Sequence, residues 1–137
     1  MHRVLIAAAV PAACLVLAAA AFADVIRGDS RPDLLRGTQG ADQMYGRGGA
    51  DRLTGRDGRD LVYGGSGADR LSGGAGGDAL YGGSGSDRLT GGSGADRLYG
   101  GSGADRIFAR DGRRDLVHCG TGTDSAVTDA VDIVTSC

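Results

Sequence analysis

The feature that most constrains this chain is a nine-residue repeat that runs without insertion or deletion from Gly37 to Phe108. Each of its eight units has Gly at positions one and four, Asp at position six and an apolar residue at position eight, as in GGSGADRLY. Glycine allows the backbone angles of tight loops, and the apolar residue between two others is typical of a very short strand. Because one such strand buries a single side chain, the units can fold only as a stack that shares one core.

A second period, of eighteen residues, indicates how the units stack. The ninth position alternates between two series, which are Tyr45, Tyr63, Tyr81, Tyr99 and Thr54, Ser72, Thr90, Phe108. If each unit makes half a turn, each series lines one of two opposite walls, with turns about 4.8 Å apart. The spacing therefore predicts an all-β fold, a flattened coil of stacked strands with two repeats per turn. The position-eight residues would face each other inside it, namely Met44, Leu53, Val62, Leu71, Leu80, Leu89, Leu98 and Ile107.

The same geometry places the position-six aspartates in two columns at opposite edges of the roll. One column would hold Asp42, Asp60, Asp78 and Asp96, and the other Asp51, Asp69, Asp87 and Asp105. Asp and Gly are also good turn residues, but Asn or Ser would serve a turn equally well. Stacked carboxylates repel, whereas Ca²⁺ takes six to eight carboxylate and carbonyl oxygens. We therefore predict that these eight aspartates bind calcium, with weaker end sites at Asp33, Asp115 and Asp124. Zinc is disfavoured because the repeats contain neither Cys nor His.

The units resemble the nonapeptide G-G-x-G-x-D-x-U-x of the hemolysin-type calcium-binding (repeats-in-toxin, RTX) family. Units 64–72, 82–90, 91–99 and 100–108 match at every fixed position. The second glycine is replaced in three early units, by Thr38, Arg47 and Arg56. The resemblance implies a parallel β-roll, a right-handed solenoid with two repeats per turn, with calcium between loops one full turn apart, bound by the Asp side chains and loop carbonyls. Four loops per edge then imply about six ions or more.

The N-terminal residues have the pattern of a secretory signal peptide. Arg3 is followed by an apolar run from Val4 to Phe22, and A-F-A ends at Ala23. A membrane anchor and a lipoprotein modified at Cys14 are the alternatives, but Pro11 and the small-residue cleavage pattern favour a cleaved signal. We therefore predict a secreted, extracellular protein without a membrane span in its mature form, for which association with the cell surface remains open.

The predicted organisation has four parts. Residues 1–23 form the signal peptide, 24–36 an N-terminal leader with a degenerate first repeat, 37–108 the β-roll, and 109–137 C-terminal repeats with a cap. In the last part ARDGRRDLVHCG resembles the earlier GRDGRDLVYG with one extra Arg, so the register moves by one residue. Cys119 and Cys137 are eighteen residues apart, which is one full turn. Stacked neighbours approach the Cα separation of a disulfide, and exported proteins keep disulfides, so we predict a Cys119–Cys137 bond that clamps the cap.

The sequence contains no catalytic constellation around His118, the one histidine outside the predicted signal peptide. The net charge of −2 gives no reason to expect a nucleic-acid partner. We therefore predict a non-enzymatic, secreted β-roll whose folding is coupled to calcium bound between its loops. An alternative stays open, in which calcium is purely structural and the protein is an extracellular or cell-surface module that binds glycan or cell-wall polymer. Such a polymer would contact the Tyr wall or a second exposed row, which comprises Arg52, Arg70, Arg88 and Arg106.

Overall fold

A computed structural model describes residues 3–6, 14–15 and 23–137, and this part of the chain is an all-β parallel solenoid of about six turns without a helix. The predicted signal peptide lies largely outside the described residues. The strands in chain order are β1 Arg3–Ile6, β2 Cys14–Leu15, β3 Asp24–Arg27, β4 Leu34–Arg36, β5 Gln43–Gly48, β6 Arg52–Asp57, β7 Leu61–Ser66, β8 Arg70–Ala75, β9 Ala79–Ser84, β10 Arg88–Ser93, β11 Arg97–Ser102, β12 Arg106–Phe108, β13 Leu116–Thr121, β14 Ser125–Val127 and β15 Ile133–Thr135.

The strands alternate between two parallel sheets. Odd-numbered strands form an eight-stranded sheet and even-numbered strands a seven-stranded sheet, each in sequential order. Within a sheet, residues eighteen apart are register partners, such as Leu98 and Leu80 in the odd sheet or Leu89 and Leu71 in the even sheet. This confirms the predicted β-roll with two repeats per turn.

The core lies between the two sheets and consists of the position-eight side chains, which are at most 2% exposed. Ile26 and Leu35 extend it below the first complete unit, and Val117 and Ala109 extend it above the last. Each strand contributes one large inward side chain. The core is therefore two facing columns of side chains, one from each sheet. Full burial of such a side chain stabilises the fold by about 1.5–3 kcal/mol.

Outside the core, the tyrosines of the odd sheet line the predicted wall and stack there as a ladder. The ring centroids of Tyr45 and Tyr63, Tyr63 and Tyr81, and Tyr81 and Tyr99 are 5.1, 4.8 and 4.7 Å apart, and the rings are nearly parallel. His118 follows at 6.2 Å from Tyr99 with a tilted ring. The faces of the inner rings are therefore covered by their neighbours, and the ladder acts as a stabilising column along the sheet.

The predicted register change at the C-terminus is also present. Leu116 pairs with Arg97 across nineteen residues, so the extra arginine is accommodated in the exposed loop around Gly112. Cys119 and Cys137 form the predicted disulfide, with a Cα–Cα separation of 4.9 Å. This bond ties the final residues to the buried strand β13.

The second position of the repeat has a left-handed backbone in the middle of the roll. Gly65 has φ of 112° there, and a Cβ at this residue would collide with the carbonyl oxygen of Arg47 one turn below. Arg47 and Arg56 occupy the same position with φ of 81° and 95°. A non-glycine residue is strained in this region by about 1–2 kcal/mol, so these two departures from the repeat reduce the stability of the lower turns.

Candidate metal centre

The aspartates of position six form two continuous ladders, one along each edge of the roll. In each ladder the backbone N–H of one Asp donates a hydrogen bond to Oδ1 of the Asp one turn further on, at 2.8–3.0 Å. The first ladder comprises Asp24, Asp42, Asp60, Asp78, Asp96, Asp115 and Asp132. The second comprises Asp33, Asp51, Asp69, Asp87, Asp105 and Asp124. All eleven residues that the sequence predicted as metal ligands therefore lie in these ladders.

The structure adds two members that the sequence analysis missed. Asp24 occupies position six of the nine residues that precede Gly28. Extending the nine-residue register toward the N-terminus would have identified it, but this segment lacks the glycines at positions one and four that mark a repeat. Asp132 follows Asp124 by eight residues instead of nine, so periodicity alone could not identify it. Its Oδ1 accepts the N–H of Asp115 at 3.0 Å, which ends the first ladder inside the disulfide-linked cap.

The first glycine of each unit allows the loop to approach the carboxylate. A Cβ at Gly46 would collide with Oδ2 of Asp51 and with the carbonyl oxygen of Gly64 in the next turn. The equivalent Cβ at Gly55 would collide with Oδ2 of Asp60. Because the first position has no side chain, its backbone lies against both the carboxylate of the same unit and a carbonyl oxygen of the next turn.

The second carboxylate oxygen of most ladder members is buried without a hydrogen-bond partner. The aspartates of the inner turns are only 1–2% exposed. The unpaired Oδ2 atoms belong to Asp51, Asp60, Asp69, Asp78, Asp87, Asp96, Asp105 and Asp115. Asp42 differs because its Oδ2 accepts the backbone N–H of Thr38 at 2.6 Å. A buried carboxylate oxygen without a partner is costly, so the ladders require a proton or a cation at these atoms.

Burial raises the pKa of these carboxyl groups. It raises the pKa of Asp60 to about 7, and the pKa values of Asp51, Asp87, Asp96 and Asp115 to about 6. The hydrogen bond from the preceding Asp opposes this effect, while the charges of neighbouring carboxylates add to it. The pKa is raised by burial in three further members, which are Asp69, Asp78 and Asp105. Near neutral pH these carboxyl groups therefore hold protons more readily than isolated aspartates would.

Grooves follow both ladders on the outside of the roll. One of about 600 Å³ is lined by Asp69, Asp87, Asp105 and Asp124, and one of about 400 Å³ by Asp60 and Asp78 on the opposite edge. Within residues 23–137 no three acidic, His or Cys side chains converge on one point. A cation between two turns would thus take at most two carboxylates and complete its shell with backbone carbonyls. That donor set fits calcium, whereas zinc prefers Cys and His. The assignment of individual aspartates as ligands stays a prediction.

One comparison with known proteins gives a match. The family model described as RTX calcium-binding nonapeptide repeat (4 copies) matches residues 19–53, 45–80 and 81–116. These ranges extend over more than half of the chain and include both aspartate ladders except their last members. No curated protein matches the sequence significantly.

Proposed function

The chain belongs to the RTX calcium-binding nonapeptide repeat family, and from this premise we propose that it is an exported β-roll whose folding is coupled to calcium binding. This family is a structural calcium-binding family and not an enzyme family. The observation that carries the proposal is the row of buried, unpartnered Oδ2 atoms along both edges. A turn-forming aspartate would need only the Oδ1 contact, so the second oxygen is left for a cation.

The ligands in this proposal come from consecutive turns at each edge. Calcium supplies two positive charges that neutralise the paired carboxylates. The eight inner ligands are Asp42, Asp51, Asp60, Asp69, Asp78, Asp87, Asp96 and Asp105. Asp33, Asp115 and Asp124 contribute weaker sites at the ends, which gives about six ions or more. The glycines hold the loop carbonyls close to these side chains, and the Oδ1 hydrogen bonds keep the carboxylates in register.

Folding and calcium binding form one event in this proposal because the unfolded chain has no preformed site. The core holds only two apolar side chains per turn, while each of the three turns from Asp60 to Asp105 also buries two carboxyl groups of raised pKa. Without a cation, ionisation of these groups near neutral pH opposes folding. A cation that binds only the folded chain stabilises it by mass action.

Export is the second part of the proposal. It is supported by the signal-peptide pattern of residues 1–23 and by the Cys119–Cys137 disulfide, since disulfides persist mainly outside the cytoplasm. RTX calcium-binding repeats are also typically extracellular. In the described part of the chain, no helix is long and apolar enough to cross a bilayer.

Circular dichroism during a calcium titration tests this function on the protein recovered from the culture medium. We expect a coil spectrum in chelator and a cooperative β signal at about 0.1–1 mM calcium, the range of extracellular sites. Magnesium should be much less effective because it demands a tighter octahedral shell. A mature chain that is fully ordered in excess chelator and unchanged by calcium would refute the coupling. N-terminal sequencing of the same material tests cleavage after Ala23.

A further inference from the structure

The outer face of the even-numbered sheet carries a row of arginines, one per turn. Arg52, Arg70, Arg88 and Arg106 are exposed register partners in β6, β8, β10 and β12. Strand pairing sets neighbouring Cα atoms about 4.8 Å apart. Arg88 lies over the ring of Phe108 at 4.6 Å, and none of the four guanidinium groups forms an ion pair within the described residues. The row is therefore a line of exposed guanidinium groups without direct ion pairs, although Arg70, Arg88 and Arg106 also border the groove that contains Asp69, Asp87 and Asp105.

The fold itself does not demand arginine at this position. On the odd-numbered sheet the same seventh position is occupied by Gln43, Leu61, Ala79, Arg97 and Leu116. Two like charges about 5 Å apart repel by about 0.8 kcal/mol in water. Repeating arginine on four successive turns of one sheet thus adds repulsion, which only the contact of Arg88 with the Phe108 ring offsets within the described residues. The carboxylates that precede these arginines in the chain are buried in the ladder and do not pair with them.

A row of hydroxyl groups runs beside the arginines. Thr54, Ser72 and Thr90 are half-buried register partners, and a groove of about 140 Å³ lies between the two rows. At repeat positions seven and nine, strands β4 to β14 carry no acidic side chain. The exposed acidic residue in these strands is Asp57, at the end of β6. This face therefore offers repeated cationic and hydroxyl groups along a single line.

From this juxtaposition we propose that the even-numbered sheet binds an extended acidic polysaccharide. Its carboxylate or sulfate groups pair with Arg52, Arg70, Arg88 and Arg106, because guanidinium groups bind such anions bidentately. Sugar hydroxyls contact the adjacent Thr and Ser row. Single-stranded nucleic acid is a poorer match because its binding sites interleave basic groups with aromatic platforms. The tyrosine ladder is on the other sheet, and among residues 23–137 Phe108 is the one aromatic residue on this face.

The test measures binding of the secreted protein, in calcium sufficient for folding, to two defined polymers. Dextran sulfate presents sulfate groups and hyaluronate presents carboxylates, while uncharged dextran is the polymer control and oligo(dT) the nucleic-acid control. We expect binding of at least one acidic polysaccharide and none of dextran. The affinity should decrease as ionic strength rises, since exposed charges are screened. Which of the two polymers binds more tightly identifies the anionic group.

Two variants separate a defined site from general charge attraction. Arg70→Gln with Arg88→Gln removes the centre of the row and should weaken binding about tenfold, as expected for two exposed ion pairs. Arg97→Gln removes one positive charge at the same repeat position on the other sheet and should change affinity by less than about twofold. Circular dichroism in calcium verifies that each variant is folded. Polymer binding remains measurable even if the wild-type chain proves to be folded without calcium, so the two proposals fail separately.

Three results would overturn the proposal. The first is that the folded protein binds neither acidic polysaccharide at low ionic strength. The second is that Arg97→Gln weakens binding as much as the double variant does. Oligo(dT) could bind while both polysaccharides do not, which would assign the row to nucleic acid instead.

Discussion

Replacement of Asp60 by Asn should change stability in opposite directions with and without calcium. Asp60 lies in the middle of the first ladder, where its Oδ1 accepts the N–H of Asp42 at 2.8 Å and its Oδ2 is buried without a partner. Asn keeps an oxygen for the first contact but removes the charge. In chelator this relieves the cost of ionising a buried group, whereas in calcium it removes a charged ligand from the gaps on both sides.

The magnitude follows from the raised pKa of Asp60. The difference between its ordinary value of 3.8 and about 7 in the folded chain corresponds to about 4 kcal/mol at pH 7.5. Solvent screening and local relaxation reduce this upper limit to about 2 kcal/mol. An unpaired amide N–H₂ would cost about 1 kcal/mol. Asp60→Asn should therefore stabilise the calcium-free fold by about 1 kcal/mol, and it should weaken calcium binding at the adjacent gaps at least about tenfold.

The assay compares two titrations followed by circular dichroism. Folding by trimethylamine N-oxide in chelator reports the calcium-free stability, because this osmolyte favours the compact state. Folding by calcium in buffer reports the metal-linked stability. Asp57→Asn is the control for the loss of one nearby charge, since Asp57 is an exposed carboxylate three residues earlier in the same unit and makes the smallest of the charge contributions to the raised pKa of Asp60. Loss of stability in both titrations, or a gain in both, would refute the assignment of Asp60 as a cation ligand.

Three further predictions concern the rest of the roll. Because the folded pKa values of eight ladder aspartates exceed their unfolded values, the calcium-free fold should be most stable below about pH 4 and lose stability as pH rises to about 7. Circular dichroism in calcium-free buffer would detect this loss. Arg47→Gly should raise stability by about 0.5–1 kcal/mol, whereas Gly83→Ala, at φ of 108°, should lower it by at least about 1 kcal/mol, as measured by urea denaturation in calcium. Leu80→Ala should destabilise the calcium-loaded roll by about 3 kcal/mol in the same assay, because the side chain is fully buried between two sheets.

The periodicity of the sequence by itself determined the architecture and the positions of most site residues. The nine-residue register identified the core column, and the alternation of Tyr81 and Thr90 at its end identified two walls and hence two aspartate ladders. The disulfide followed from the eighteen-residue turn. Such inferences work because every turn repeats the same contacts with its neighbours, so that local sequence contains the information about stacking.

The tertiary structure alone decided how each repeated residue is used. Asp42 and Asp60 occupy the same repeat position, yet only the second has an unpartnered oxygen, because Thr38 satisfies the first. The same stacking places a carbonyl oxygen so close to Gly65 that a side chain there would collide with it. It also brings Asp132 into the first ladder, although Asp132 does not fit the nine-residue period. Burial, hydrogen bonding and pKa depend on the turns above and below a residue, and the repeat unit does not contain those contacts.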